Sequence, residues 1–183
     1  MKKYKYDIYR YYGKNNESIK QRLFRPLELK YIIIFRKYQE SKFILLRIYY
    51  ILKIKKFSKK THIQIPYTTK IDKGLYIGHL GRIIVNPNAI IGKNVNIATG
   101  VTIGQENRGM RKGSPIIGNN VWIGTNSVIV GKINIGNDVL IAPLSYINFD
   151  VPDHSIVIGN PGKIIKKDNA TKDYINNVVE NDK

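Results

Sequence analysis

Three histidines (His62, His79 and His154) and no cysteine bound the chemistry open to this chain of 183 residues. Without a thiol there is no disulfide framework, no thiolate metal site and no cysteine nucleophile. An imidazole titrates near neutrality and can take the proton from a hydroxyl, which is a poor nucleophile until that proton is removed. His79 stands in Ile77-Gly78-His79, one place after a small residue, where side chains leave the chain's turn, and is the first candidate for a general base. His62 and His154 precede and follow the repeat in which His79 lies, so they are not expected to meet it within one subunit. Neither has a second metal ligand at useful spacing, so both read as structural or incidental and no metal is expected.

The element that must position His79 is a repeat. Ile65, Ile71, Ile77 and Ile83 stand six apart; after a two-residue slip the series resumes at Ile91, Ile97 and Ile103. It continues as Ile117, Ile123, Ile129, Ile135, Ile141 and Ile147, and many of these are followed by Gly or Ala. A period of six fits neither a helix nor a simple alternating strand. It is the hexapeptide signature of a parallel β-helix, each hexad giving one short strand and one turn, with the isoleucines stacked inside. Four to five coils are expected over residues 65–152. The gap from Ile103 to Ile117 is eight residues longer than one hexad, so Gln105 to Ser114, polar, basic and glycine-containing, should loop out as a functional excursion. The repeat should end near Asp150-Val151-Pro152, with Gly159-Asn160-Pro161-Gly162 closing the last coil.

Residues 1–60 read as a basic, tyrosine-rich helical segment, residues 61–165 as the β-helix domain and residues 166–183 as a polar tail with one short helix at Tyr174 to Val179. Helices are expected at Leu27 to Tyr38, with Pro26 in its first turn, and at Phe43 to Ile54, where Ile44, Leu45, Ile48, Ile51 and Leu52 make an apolar stripe. Gly13 to Asn16 should break the chain, with Asn16 or Ser18 capping the next helical stretch. The net charge of +18 is concentrated here: residues 1–60 hold 18 Lys and Arg against 4 Asp and Glu, and 9 of the 13 tyrosines. Such a segment suits an anionic membrane surface, whereas nucleic-acid binding is not expected, because no helix-turn-helix, zinc-finger or OB-type marker is present. There is no secretory signal and no apolar run long enough to cross a bilayer, so the expected location is cytoplasmic, extending to the inner face of the membrane.

Ile-Gly-His at 77–79, Val-Thr-Ile-Gly at 101–104, Ile-Gly-Asn-Asn-Val-Trp-Ile-Gly at 117–124 and Gly-Asn-Pro-Gly-Lys at 159–163 resemble the hexapeptide acyltransferases, and within them the serine acetyltransferase branch. The resemblance implies a left-handed β-helix, an uncommon hand. It also implies a homotrimer, acetyl-CoA bound between subunits, and His79 as general base. The outer wall for a thin pantetheine chain would be Gly104, Gly124, Thr125, Ser127 and Ala142. Lys163 would meet the phosphates, with Lys166 and Lys167 as alternates. Trp122 reads as subunit interface in preference to cofactor wall. The family aspartate that orients the imidazole falls on Gln64, the acidic residue before the histidine on Gly78, and the Arg-His pair that holds the amino-acid carboxylate on Gly113 and Ser114. Arg108, Arg111 and Ser114 are the substrate-binding candidates left in the loop. These departures direct the expected acceptor away from free serine and toward a sugar hydroxyl of a surface polysaccharide precursor. Serine O-acetylation and an inactive trimeric scaffold are the alternatives.

Overall fold

The computed structural model describes residues 1–180. Four helices, α1 (Lys3–Tyr12), α2 (Ile19–Leu23), α3 (Leu27–Glu40) and α4 (Ile44–Thr61), precede a β-solenoid of five coils with three parallel faces. Face A stacks Ile63–Gln64, Ile83–Val85, Thr102–Gly104, Val128–Val130 and Tyr146–Ile147. Face B stacks Lys70–Ile71, Ile90–Ile91, Ile116–Ile117 and Asn134–Ile135, continued by a bridge from Ile135 to Val151. Face C stacks Tyr76–Ile77, Asn96–Ile97, Val121–Ile123, Val139–Ile141 and Ser155–Ile158, closed by the antiparallel strand Lys163–Lys166. The recurrent isoleucines fill the interior and are 0–3% exposed, as a close-packed apolar stack requires.

Register corrects the six-residue ruler in one place. Ile77 pairs with Ile97, but Val85, and not Ile83, pairs with Ile103. The inner row therefore runs from Ile77 to Val85, and the two extra residues belong to the corner Gly78–Arg82 that carries His79. Ile83 stands in the companion row with Ile63 and Val101, two places earlier in each strand. A shortening at the other end, from Ile147 to Val151, lets the solenoid continue through Val157 beyond the expected stop near residue 152.

Two tyrosines of the first third, Tyr11 and Tyr31, belong to the solenoid's lower cap. An open strand edge presents unpaired amides and carbonyls. Here helix side chains satisfy them: the Tyr31 hydroxyl donates to the Ile65 carbonyl (2.9 Å) and accepts from its amide (3.2 Å). Arg36, buried and paired with Asp7 at 2.8 Å, donates to the carbonyl of Ile71 (2.6 Å), and Asp7 accepts from the amides of Gly74 and Leu75. Tyr11 grips Ile77 as Tyr31 grips Ile65, at 2.6 and 3.2 Å. Ile65, Ile71 and Ile77 of the first coil thus each have their backbone held by at least one helical side chain.

The helices fall at the expected positions, with α4 running on beyond Ile54 to Thr61, and the break and cap come from the expected residues. Gly13 ends α1 in the left-handed region (φ 66°) and Ser18, not Asn16, caps α2 through a reciprocal bond with Gln21. The stripe expected to bury α4 is mostly outside: Ile44, Leu45, Ile48 and Leu52 are exposed, while Tyr50, Ile51, Ile54 and Phe57 face the core. No helix forms at Tyr174 to Val179. Turns over residues 168–174 lead into irregular chain laid against face C, with Ala170, Thr171, Ile175 and Val179 buried.

Candidate active site

The lengthened corner between faces C and A presents His79. Its start is fixed by Tyr11 on Ile77, whose hydroxyl is pushed far above the usual tyrosine range by burial and so stays protonated as a donor. Its end is tied to the base of α4: the Gly81 amide donates to the Thr61 carbonyl (3.1 Å) and the Ile83 amide to the His62 carbonyl (3.2 Å). Gly81 has φ +142°, and a Cβ there would sit 1.9 Å from the Thr99 hydroxyl, so the corner closes down on the next coil only as glycine. His79 and Leu80 are left exposed. The imidazole has no hydrogen-bond partner among the described residues, and the side chain of Gln64, also exposed, makes none either.

Above His79 the same corner rises coil by coil. Gly78, Ala98, Gly124 and Ala142 each follow a paired inner residue of face C and form one column of small side chains, with Thr99, Thr125 and Pro143 next outward. A Cβ on Gly124 would lie 2.6 Å from the Pro143 nitrogen, so this wall accepts no larger residue there. At the top, the turn Gly159–Gly162 folds back through a bond from the Gly162 amide to the Tyr146 carbonyl (3.0 Å) and delivers the exposed Lys163 beside Ile158. Four rungs at about 4.8 Å separate the foot of this column from its head, roughly 19 Å. Ser127 does not share that surface: it is 0% exposed and its hydroxyl donates to the Ala142 carbonyl at 3.0 Å, inside the coil.

Gly104 and the loop lie on the opposite edge of face A, five extended residues from Gly81 to Asn86, or roughly 16 Å, across the sheet. The excursion is ordered. Glu106 and Gly113 exchange backbone bonds at 3.0 Å, Arg111 donates to the Asn148 carbonyl and accepts from the Lys132 amide, and Ser114 donates to Asn86 at 3.0 Å. Arg111 and Ser114 are thereby engaged in holding the loop, whereas Arg108 stands exposed with no partner among the described residues. Within one chain, then, the structure separates the substrate-loop candidates from His79, and it groups Gly124, Thr125, Ala142 and Lys163 with it.

The remaining candidates have structural employment. His62 is the left-handed C-cap of α4 (φ 60°), and its carbonyl bonds the strand that comes after the His79 corner, so it stands nearer to that corner than its sequence position suggests. His154 occupies the left-handed position of the B–C corner (φ 55°), above Asp138 (φ 52°), and meets that carboxylate at 2.9 Å. Asp138 also accepts from the amides of Ala170 and Thr171 and from the Thr171 hydroxyl. Burial pushes its carboxyl up, but the bonds from Thr171, His154 and Ala170 outweigh that and hold it below the ordinary carboxylate range. Trp122 lies on face C, edge-on to Tyr174 of the same chain at 5.0 Å. Among the described residues no group of three His, Cys, Asp or Glu could hold a metal ion. Sequence reasoning missed Tyr11 and Gly81, and the signal for the second was the two-residue slip placed one strand too late.

Residues 114–148 match the family described as bacterial transferase hexapeptide (six repeats). A serine acetyltransferase of Staphylococcus aureus is 35% identical over 138 residues, which are 75% of this chain and 63% of the relative, so the chain spans less than two thirds of that protein's length. The solved Neisseria gonorrhoeae serine acetyltransferase, in complex with serine, superposes with a TM-score of 0.65 at 25% identity over 88% of this chain and 67% of that one. A serine acetyltransferase solved with CoA shares the fold at a TM-score of 0.71 and 22% identity, over 89% and 67% of the two chains. Fold, repeat and comparisons converge: this chain is built on a hexapeptide-repeat β-helix, and over three quarters of its length it is similar to the serine acetyltransferases.

Proposed function

We propose that this chain is an acetyl-CoA-dependent O-acetyltransferase with His79 as its general base. The observation that carries the reading is the lengthened corner, which holds an unpartnered imidazole at the foot of a column of small residues that ends at Lys163. Pantetheine would lie along Gly124, Thr125 and Ala142, and the Lys163 ammonium would meet a phosphate as a point charge. His79 would take the proton from the acceptor hydroxyl as its oxygen attacks the thioester carbonyl. The tetrahedral intermediate would then expel the CoA sulfur, which receives the proton held by the imidazolium. Because the loop and His79 stand on opposite edges of face A, a complete site needs the loop edge of a neighbouring copy, and a homotrimer supplies it.

Serine is the acceptor that the comparisons favour. A second reading, a sugar hydroxyl, has a specific observation behind it: no carboxylate stands at position 64 or 78, Gly113 and Ser114 occupy the places of the carboxylate-holding pair, and Arg111 is engaged with Asn148. The deciding experiment is thiol release from acetyl-CoA with L-serine and with a panel of sugars and glycans as acceptors. Turnover with serine supports the first reading, and turnover with sugars alone supports the second. Absence of thiol release with every acceptor, and no binding of CoA, would leave a β-helix scaffold and overturn the enzymatic assignment.

A further inference from the structure

We infer that the outer face of α4 is a docking surface for an anionic lipid bilayer. The helix is 18 residues long, about 27 Å, and its only ionisable side chains apart from two tyrosines are six cations: Arg47, Lys53, Lys55, Lys56, Lys59 and Lys60. At about 100° per residue, Ile44, Leu45, Ile48 and Leu52 share one side with Lys55, Lys56, Lys59 and Lys60. The structure leaves that side uncovered: Ile44 is 67% exposed, Leu45 78%, Ile48 48% and Leu52 62%, with Phe43 at 73% extending the patch at its start. The four lysines are exposed or line only the edge of a groove, and none is in an ion pair among the described residues. A contiguous exposed apolar surface of this kind marks an interaction site.

The order of residues along the face selects the partner. Three apolar turns come first and two lysine-rich turns come after them. A parallel pairing with a second copy sets lysines against lysines, and an antiparallel pairing sets each lysine cluster against the other copy's apolar half, so neither satisfies both halves. A bilayer surface offers acyl chains and anionic headgroups at adjacent depths, which receives an apolar half and a basic half together. No helix among the described residues is long and apolar enough to cross a membrane, so the contact lies on the surface. This inference is independent of the acetyltransferase reading.

The test is flotation of the full chain with vesicles of phosphatidylcholine alone and of phosphatidylcholine mixed with phosphatidylglycerol, alongside its mass in solution. The chain should float with the mixed vesicles. Flotation should fall several-fold with phosphatidylcholine alone or in high salt, and to background in Leu45→Ser/Ile48→Ser, with thermal unfolding unchanged. Lys55→Gln/Lys59→Gln, which leaves the apolar half intact, should weaken flotation several-fold. Absence of flotation with mixed vesicles, or equal flotation of the wild type and both variants, would overturn the inference. A drop in solution mass for Leu45→Ser/Ile48→Ser without lipid would overturn it too, by assigning the face to a second copy.

Discussion

Two histidines sit on corners of one solenoid, and the corners treat them oppositely. The B–C corner repeats the same left-handed position in every coil, through Gly74, Asn94, Asn120, Asp138 and His154; the amide of Gly74 donates to Asp7, and each of the later four donates to a carbonyl of the coil beneath. His154 there is bonded to Asp138 and obeys the register. The C–A corner breaks register by two residues at the first coil, and His79, on the extra length, is left without a partner. A repeat makes conformity inexpensive, so a local departure from its period marks a residue placed for something other than folding.

The comparison breaks most severely if the departure is removed. Deleting Leu80 and Gly81 restores the six-residue spacing from Ile77 to Val85 and should lower acetyl transfer about a hundredfold or more, the range expected when a general base is displaced, while thermal unfolding stays within a few degrees. Gly81→Ala keeps the length but drives a Cβ into Thr99, and should destabilise by about 1–3 kcal/mol, read as a fall in Tm of about 2–4 °C per kcal/mol. Tyr11→Phe leaves the Ile77 amide and carbonyl without their side-chain partner, at about 1–3 kcal/mol. Its signature beyond stability is a fall in kcat with KM for acetyl-CoA unchanged, since the corner shifts and the column above it does not.

The opposite corner supplies the smaller effects. Hydrogen bonds hold the folded Asp138 carboxyl below its unfolded value, so their stabilisation is present above about pH 4 and is lost as the pH falls through the lowered folded value. The segment that Asp138 pins should then detach, and the single tryptophan, Trp122, should report the loss of Tyr174 in its fluorescence as the pH falls below about 4. A signal that changes only above about pH 5 contradicts this sign. Smallest of all, His154→Ala should leave acetyl transfer unchanged and shift stability by less than about 1 kcal/mol, because its bond to Asp138 is exposed.

The six-residue ruler, the loop at Gln105–Ser114 and the candidacy of His79 were legible in the sequence because each is a matter of local spacing. The site of the slip was not, since Ile83 and Val85 are both buried aliphatics and only pairing with Val101 and Ile103 tells the two rows apart. The tyrosine caps were illegible for a similar reason: the partners of Tyr11 and Tyr31 are backbone groups 66 and 34 residues away. The stripe on α4 shows a further limit, for periodicity finds an apolar face without revealing whether anything covers it. The tail from Ala170 to Val179 is held by Asp138, Asn94 and Asn96, which compete successfully with a weak helical pattern.

The central claim is tested most directly by thiol release from acetyl-CoA, measured on His79→Ala beside His154→Ala with the acceptor the wild type prefers. The account predicts a loss of about a hundredfold or more in kcat for His79→Ala, with unfolding and CoA binding retained, and wild-type turnover for His154→Ala. Equal turnover of the two variants would contradict it.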